Sequence, residues 1–288
     1  MDLEKVTNEI SAIVSNCINN PIKSISILFD PNDPPYVLEK GHFGISRQII
    51  KDVTLMIYKD LNSCKKKCLE LPGECYDTLN VLQVLNPDDY KLYNLKREFL
   101  SQRLKFETDF IVELCYSSLP LKIKPKSHEP FKHKKWLLSE NRKFLNSEVI
   151  KNELQCCAEA ATLYKNNYYA WTHRLWLVQN FSKEVNFIAE LEWSRIYIKS
   201  NVSDFSGMNY RFNFLVLSNQ DRSLFTKEVD VCMANIMFYK CHEALWCYLK
   251  LLISYCKSEG IRFDELCLLK VCEMKEGEKF RLWFDKFH

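Results

Sequence analysis

Residues 165–178 read KNNYYAWTHRLWLV, and this stretch decides the fold because four other stretches repeat its pattern. The four are NPDDYKLYNLKREFL (86–100), PKSHEPFKHKKWLL (125–138), VSDFSGMNYRFNFL (202–215) and KCHEALWCYLKLLI (240–253). A large apolar or aromatic residue recurs at spacings of 38, 40, 37 and 38 residues, at Tyr93, Phe131, Trp171, Met208 and Trp246. Such a steady period is typical of a repeat protein.

The third position after this large residue also follows a pattern across the five repeats. The residue at this position is basic in four repeats, at Lys96, Lys134, Arg174 and Arg211, whereas the fifth has Leu249. Positions i and i+3 share one face of a helix, so each stretch predicts an amphipathic helix. A period near 38 residues accommodates an antiparallel helix pair with two short loops, and such pairs must stack to bury their apolar faces. We expect the aromatic positions to lie in the core, and Arg174 and Arg211 to be structural.

The rest of the chain also favours helices. It has only six glycines, and alternation of period two is scarce. We therefore predict an all-α fold with a single α-solenoid domain over 1–288. It comprises N-terminal helices (1–80), five hairpin repeats (81–255) and C-terminal capping helices (256–288). The segment 21–44 holds four of the nine prolines, and we expect it to be irregular, with one short extended piece at Ser24–Phe29.

Composition excludes several classes of protein. Forty Lys and Arg stand against thirty-seven Asp and Glu, so the balance of charge does not call for a nucleic-acid partner. Thirteen cysteines in a chain this long favour reduced thiols over a disulfide scaffold. The opening MDLEKVTNEI lacks the features of a signal peptide, and no apolar run approaches the ~20 residues of a membrane helix. We expect a cytoplasmic protein that is not transmembrane.

Metal binding by this chain is not expected. Cys64 and Cys68 would share a helix face, and Cys75 follows them, but no histidine lies near. A single pair of this kind lacks the second pair of ligands that a structural zinc site requires.

One segment closely resembles the repeat Asn-Tyr-x-Ala-Trp-x-x-Arg-x-Trp of the protein prenyltransferase α-subunit family. It is Asn167-Tyr168-Tyr169-Ala170-Trp171, followed by Arg174 and Trp176. Leu249 also matches a version of that repeat. VSDFSGMNYRFNFL and PPYVLEKGHFGI (34–45) resemble one branch of the family. The resemblance implies a right-handed α–α superhelix, a crescent of helical hairpins around a separate β subunit. That subunit carries the zinc and the isoprenoid pocket, so this chain needs no cofactor of its own.

This branch is similar to the α subunit of the type III geranylgeranyltransferase. The resemblance implies pairing with the β subunit that the Rab geranylgeranyltransferase also uses. The implied reaction moves a geranylgeranyl group from geranylgeranyl diphosphate to a cysteine thiolate near the C-terminus of a protein. The implied substrates are an already farnesylated SNARE and Rab GTPases.

The resemblance also suggests site residues. The family's second repeat has a Pro-Lys-Asn-Tyr segment whose lysine reaches the diphosphate, and this chain has Pro125-Lys126-Ser127-His128. Lys126 is therefore the candidate for stabilising the leaving diphosphate, with His128 in place of the family's tyrosine. Tyr168 is retained in the third repeat, and Tyr169 replaces a histidine. We expect these residues, together with His133 and Lys134, on the side that faces the lipid or the partner.

The residues between 122 and 135 also form a basic cluster, in which one acid, Glu129, accompanies six lysines: Lys122, Lys124, Lys126, Lys132, Lys134 and Lys135. Two alternatives to a prenyltransferase subunit stay open. The repeats could form a non-catalytic scaffold for another protein, or a helical solenoid could bind RNA through this basic cluster alone.

Overall fold

The computed structural model describes residues 2–66, 74–218 and 222–287, with side chains for 2–59, 76–217 and 222–286. Helices dominate this part of the chain. They are α1 (Leu3–Ser15), α2 (Arg47–Lys66), α3 (Glu74–Leu85), α4 (Tyr90–Arg103), α5 (Glu107–Tyr116), α6 (Leu119–Ile123), α7 (His128–Glu140), α8 (Ser147–Leu163), α9 (Tyr168–Asn180), α10 (Phe187–Ser200), α11 (Phe205–Ser218), α12 (Ser223–Phe238), α13 (Glu243–Ser258), α14 (Glu265–Cys272) and α15 (Glu278–Phe287). The predicted all-α class is confirmed. None of the described helices is both long and apolar enough to cross a membrane.

A small sheet interrupts the helices near the N-terminus. Its strands β1 (Ser24–Leu28), β2 (Tyr36–Glu39) and β3 (His42–Ser46) lie in the order β1-β3-β2. Strand β3 pairs with β1 in parallel and with β2 antiparallel. Lys40 and Gly41 link β2 to β3 with φ values of 50° and 87°, as a two-residue hairpin turn requires.

The sheet corrects the expectation that 21–44 is irregular. Strand β1 falls within the expected extended piece, but β2 and β3 were not predicted. Both are short, and their pairing depends on contacts that sequence patterning does not register.

The chain divides into two compact units, Met1–Tyr164 and Lys165–His288. In the first unit, a core cluster joins the sheet to α1, α2 and α3 through residues such as Ile10, Phe43, Ile49 and Leu82. The predicted boundaries of the repeats and of the single solenoid domain stay predictions.

The repeat residues lie on the first helix of each hairpin, namely α4, α7, α9, α11 and α13. Tyr93, Phe131, Trp171, Met208 and Trp246 are all buried. Asparagine or aspartate begins several helices by accepting a hydrogen bond from the first turn, as Asp89 does for α4 and Asn167 for α9. The same stretch of each repeat therefore sets both where a helix begins and which face it buries.

Candidate functional site

Each basic repeat residue lies buried against a glutamate on the second helix of its own hairpin. The ammonium of Lys96 lies 2.8 Å from Glu113, and that of Lys134 lies 2.8 Å from Glu153. The arginines form bidentate pairs, which Arg174 makes with Glu190 at 2.8 and 2.6 Å and Arg211 makes with Glu228 at 2.7 and 2.6 Å. We call these four carboxylates, Glu113, Glu153, Glu190 and Glu228, the repeat glutamates.

Three repeat glutamates accept a further hydrogen bond from the next hairpin. Each donor lies two residues after the large apolar or aromatic residue that recurs in the repeats. Nε2 of His133 lies 2.8 Å from Glu113, the Tyr210 hydroxyl lies 2.5 Å from Glu190, and the Tyr248 hydroxyl lies 2.8 Å from Glu228. Each of these carboxylates therefore connects two successive hairpins within its own unit.

The basic residues also reach back to the preceding hairpin. Lys134 donates to the carbonyl of Leu114 on α5 at 3.0 Å. Arg211 donates to the carbonyl of Leu191 on α10 at 2.7 Å and to the Ser194 hydroxyl at 2.9 Å. A buried charge is tolerated when it is paired and its remaining donors are satisfied, and both residues meet that condition. The repeat pairs therefore hold three helices together and leave no charge available for chemistry.

Burial corrects the expected position of His133 and Lys134. Both were expected to face the lipid or the partner, yet both are fully buried. Lys134 lies three residues after Phe131 and therefore shares its buried helix face. His133, next to it, is also buried and contacts Glu113. Burial lowers the pKa of His133 to about 4, although the hydrogen bond with Glu113 opposes that shift. These two residues belong to the packing of the repeats.

The repeat glutamates are the feature that sequence reasoning missed. They recur at spacings of 40, 37 and 38 residues, so the signal was present. Each lies 16 to 19 residues after its basic partner, on a different helix, where a search along one helix face does not find it.

Lys126 lies in a turn over residues 124–127, which we call the Lys126 turn, directly before α7. The amide of Ser127 donates to the carbonyl of Lys124 at 2.9 Å and closes the turn. The buried hydroxyl of Ser127 shares its one proton between the carbonyl of Pro87, at 2.9 Å, and the carboxylate of Asp88, at 2.5 Å. The turn is thereby fixed to the turn that precedes α4, while the side chain of Lys126 is exposed.

Lys126 differs from Lys122 and Lys124 in having no acid beside it among the described residues. Its ammonium lies 5.0 Å from the centre of the Tyr164 ring, and no carboxylate in the described part of the chain pairs with it. By contrast, Lys122 lies 3.6 Å from Glu159, and Lys124 forms an ion pair with Asp88. Partial burial raises the pKa of Asp88, but hydrogen bonds from Lys124 and Ser127 outweigh it and lower that pKa.

Two further lysines of the basic cluster also lie beside carboxylates. Lys132 lies 3.8 Å from Glu129, and Lys134 is the buried partner of Glu153. Partial burial lowers the pKa of Lys135. Four of the six lysines therefore lie beside a carboxylate, and this weakens the case for an extended RNA-binding surface.

The remaining expected site residues lie at helix N-termini. His128 begins α7, and its ring nitrogen lies 3.3 Å from Glu129. Tyr168 and Tyr169 begin α9, in the second unit, with their rings edge to face and 5.6 Å apart. Tyr168 is 63% exposed and Tyr169 is half-buried. His128, Tyr168 and Lys126 are thus all accessible to an external molecule, unlike His133 and Lys134.

Within the described residues, no group of His, Cys, Asp or Glu is arranged to hold a metal ion. The side chains of Cys64, Cys68 and Cys75 lie outside the described residues. The accessible chemistry of this site is therefore that of a cation, Lys126, held at a fixed turn beside a helix N-terminus. Both features favour an anionic group such as a phosphate.

Comparison with known proteins identifies the helical repeat. Residues 150–181 match the family described as protein prenyltransferase alpha subunit repeat. This stretch thus matches the helical repeat of protein prenyltransferase α subunits, and the resemblance seen in the sequence is confirmed.

Its relatives include protein prenyltransferase alpha subunit repeat-containing protein 1 of Danio rerio, 26% identical over 75% of this chain and 63% of the relative. The Homo sapiens protein of that name is 29% identical over 65% of this chain and 51% of its own length. Geranylgeranyl transferase type-2 subunit alpha of Bos taurus is 27% identical over 51% of this chain and 26% of the relative. The chain therefore spans about half to two-thirds of the length of the repeat-containing proteins that it matches.

Proposed function

We propose that this chain is the α subunit of a heterodimeric protein geranylgeranyltransferase. The exposed, acid-free Lys126 in its fixed turn is the observation that carries the proposal. The partner is a β subunit of the Rab geranylgeranyltransferase type, which supplies the zinc and the lipid pocket. The heterodimer transfers a geranylgeranyl group from its diphosphate to a protein cysteine, and the substrates are a farnesylated SNARE and Rab GTPases.

The chemistry of the reaction explains the role of Lys126. Attack by the thiolate on the allylic carbon breaks the bond to the diphosphate, whose negative charge grows as it leaves. A positioned ammonium stabilises that charge in the transition state more than in the bound substrate, which raises the rate. The N-terminus of α7, which begins two residues later at His128, adds a favourable partial charge.

Replacement of Lys126 tests this role in the heterodimer. Lys126→Ala should lower kcat by about 100-fold, the usual effect of losing one stabilising donor, while leaving the heterodimer assembled. Lys132→Ala removes the same charge from the same unit at a lysine that lies beside Glu129, and it should leave transfer unchanged. Equal rates for the wild type and Lys126→Ala would reject the diphosphate role.

The assignment as a subunit is tested separately by co-expression with the Rab-type β subunit. Size-exclusion chromatography with light scattering should give a 1:1 complex that contains zinc, and the complex should transfer geranylgeranyl to one of the two substrate classes. A chain that elutes alone while the β subunit stays unbound would reject the heterodimer.

The second candidate is a non-catalytic scaffold for another protein. One observation favours it: Ser127 and His128 replace the Asn-Tyr that follows the lysine in the family's second repeat. The Ser127 hydroxyl here serves to fix the turn to Asp88, so the local hydrogen bonding differs from the family pattern. A stable complex with the β subunit that fails to transfer lipid to either substrate class would favour the scaffold.

A further inference from the structure

Two cysteines from distant parts of the sequence meet in the first unit. Cys17 lies in a single 3-10 turn, Asn16–Ile18, directly after α1, and Cys115 lies near the end of α5. Their sulfur atoms are 3.7 Å apart although 98 residues separate them along the chain. This sulfur contact plays no part in the proposed transferase chemistry.

The surrounding structure holds the two thiols together. The hydroxyl of Tyr116, next to Cys115, donates to the carbonyl of Ser15 at 3.1 Å. Ser15 ends α1, two residues before Cys17, so this bond fixes the same two segments. A disulfide has an S–S length of about 2.05 Å, so side-chain rotation need bring the sulfurs closer by only about 1.7 Å.

The two thiols have unequal reactivity. The hydrogen bond with Cys17 lowers the pKa of Cys115 to about 7; burial opposes this shift, and the charges of Lys134 and Lys122 assist it. The same hydrogen bond, together with burial, raises the pKa of Cys17. Cys115 is partly exposed, whereas Cys17 is buried. A small oxidant therefore reaches the thiol that is more readily ionised, and the thiolate is the reactive form.

We propose that Cys17 and Cys115 are a redox site that forms a reversible disulfide and fastens α1 to α5. With hydrogen peroxide as the oxidant, the Cys115 thiolate attacks one oxygen, the O–O bond breaks and hydroxide leaves, to be protonated to water. Cys115 is now a sulfenic acid. The Cys17 thiol then loses its proton and attacks the Cys115 sulfur, the S–O bond breaks and a second water leaves. The two thiols lose two electrons in total, and peroxide gains them. A dithiol reductant reverses the reaction by exchange.

The disulfide would close a loop of nearly a hundred residues in the unit that carries Lys126. Closing a long loop restricts the unfolded chain and so stabilises the folded one. The oxidised protein should therefore melt at a temperature several degrees higher than the reduced protein.

The tryptic cleavage sites allow the proposed disulfide to be identified by peptide mapping. Trypsin should release residues 6–23 and 106–122, and each of these peptides contains a single cysteine, Cys17 or Cys115. The full chain is treated with peroxide, its remaining thiols are alkylated, and the digest is analysed by mass spectrometry with and without a reductant. We expect the two peptides joined in one species that disappears on reduction. Finding Cys115 oxidised while Cys17 is still alkylated as a free thiol would overturn the proposal.

Variants then connect the disulfide to the change in melting temperature. Cys17→Ser should abolish both the joined peptide and the rise in melting temperature on oxidation. Cys241→Ser removes an exposed thiol of the second unit and should retain both. A rise that persists in Cys17→Ser, or that is lost in Cys241→Ser, would show that the Cys17–Cys115 disulfide is not its cause. The peptide map of the wild type decides whether the disulfide forms even if Cys17→Ser folds poorly.

Discussion

Arg174 and Arg211 lie in the interior of the second unit, each with both its Nε and Nη2 groups bonded to one carboxylate. The ring of Trp193 covers the Arg174 guanidinium at 3.6 Å. Removing one member of a buried ion pair leaves the other charged and without compensation, and this costs more than the net contribution of the pair. The repeat pairs are therefore sites where single substitutions should have large effects on stability.

Substitution of Arg174 provides a direct test at this scale. Arg174→Met keeps most of the side-chain volume but leaves Glu190 uncompensated, so the free energy of unfolding should fall by about 3–5 kcal/mol. Arg195→Met is the matched control, because Arg195 forms an equally short ion pair with Glu192 at an exposed position of α10. Water screens that pair, and the control should change stability only slightly. Urea denaturation of both variants measures the difference, and equal losses would contradict the interpretation.

The triad of Lys96, Glu113 and His133 predicts how stability depends on pH. Burial lowers the pKa of His133 from 6.5 to about 4. Burial opposes ionisation of Glu113, but Lys96 and His133 outweigh it and bring that pKa from 4.5 to about 2. In both cases the folded-state pKa lies below the unfolded one, so the unfolded state binds protons first as the pH falls.

Stability should therefore decrease on acidification, first between about pH 6.5 and 4 as His133 resists protonation. The decrease should continue below about pH 4.5 as the ionised form of Glu113 is lost. The histidine step should amount to about 3 kcal/mol. His133→Gln cannot titrate and should flatten the upper step, whereas His42→Gln, at an exposed position, should preserve it. Chemical denaturation at a series of pH values would show this, and an unchanged upper step in His133→Gln would reject the assignment.

Several of these residues could be predicted from the sequence and others could not. Trp171 and Arg174 follow from a 38-residue period and from the spacing of one helix turn. Glu190 does not, because its partnership with Arg174 forms only when two helices pack. Lys126 could be named from its resemblance to a family motif, but its lack of an acidic neighbour depends on where Asp88, Glu129 and Glu159 lie in space.

At the scale of the helices, Asp204 links the start of α11 to two aromatic residues of the preceding hairpin, one on α9 and one on α10. It accepts hydrogen bonds from the amide of Gly207 at 2.8 Å, the indole of Trp171 at 3.3 Å and the hydroxyl of Tyr197 at 2.8 Å. Because residue 207 is glycine, the Trp171 ring can lie this close to α11; a Cβ at that position would lie 3.0 Å from the ring. One carboxylate thus both begins a helix and orients the aromatic core of the second unit.

Comparison of two helix caps separates these roles. Asp264 begins α14 and accepts from the amide of Cys267 at 3.0 Å, but it is exposed. Asp264→Ala should cost about 1 kcal/mol, the usual value of a cap. Asp204→Ala also strands two buried donors, so it should cost about 3 kcal/mol or more. Thermal or chemical unfolding of the two variants gives the comparison, and a similar loss for both would mean that the bonds to Trp171 and Tyr197 contribute little.

The elements themselves were predictable to different degrees. The repeat helices have apolar residues at the spacing of a helix face and polar caps at their starts, so local sequence is sufficient to predict them. Strands β2 and β3 consist of four and five residues within a segment rich in proline and glycine. Their stability comes from pairing with each other and with β1, and from burial of Phe43 and Ile45 in the core of the first unit, so no local pattern revealed them.

At the scale of the whole molecule, the exposed aromatic residues bear on the proposed heterodimer. Tyr168 leaves 63% of its surface exposed at the start of α9, in the repeat that most closely follows the family pattern. Large aromatic side chains of this kind contribute much of the binding energy when a partner covers them. Binding of the β subunit should also raise the melting temperature of this chain, and the rise should grow with the logarithm of the concentration of free partner, because the partner binds only the folded state.

Tyr168→Ala should weaken the complex with the Rab-type β subunit by about tenfold or more. It should barely alter the melting temperature of the isolated chain, because an exposed side chain contributes little to folding. Ile188→Ala is the matched control, since Ile188 is 80% exposed on α10 of the same unit; it should bind as the wild type does. Calorimetric titration of each variant with the β subunit measures the affinities. Wild-type affinity for Tyr168→Ala would place Tyr168 outside the interface, and a loss common to both variants would mean that the interface extends over α10.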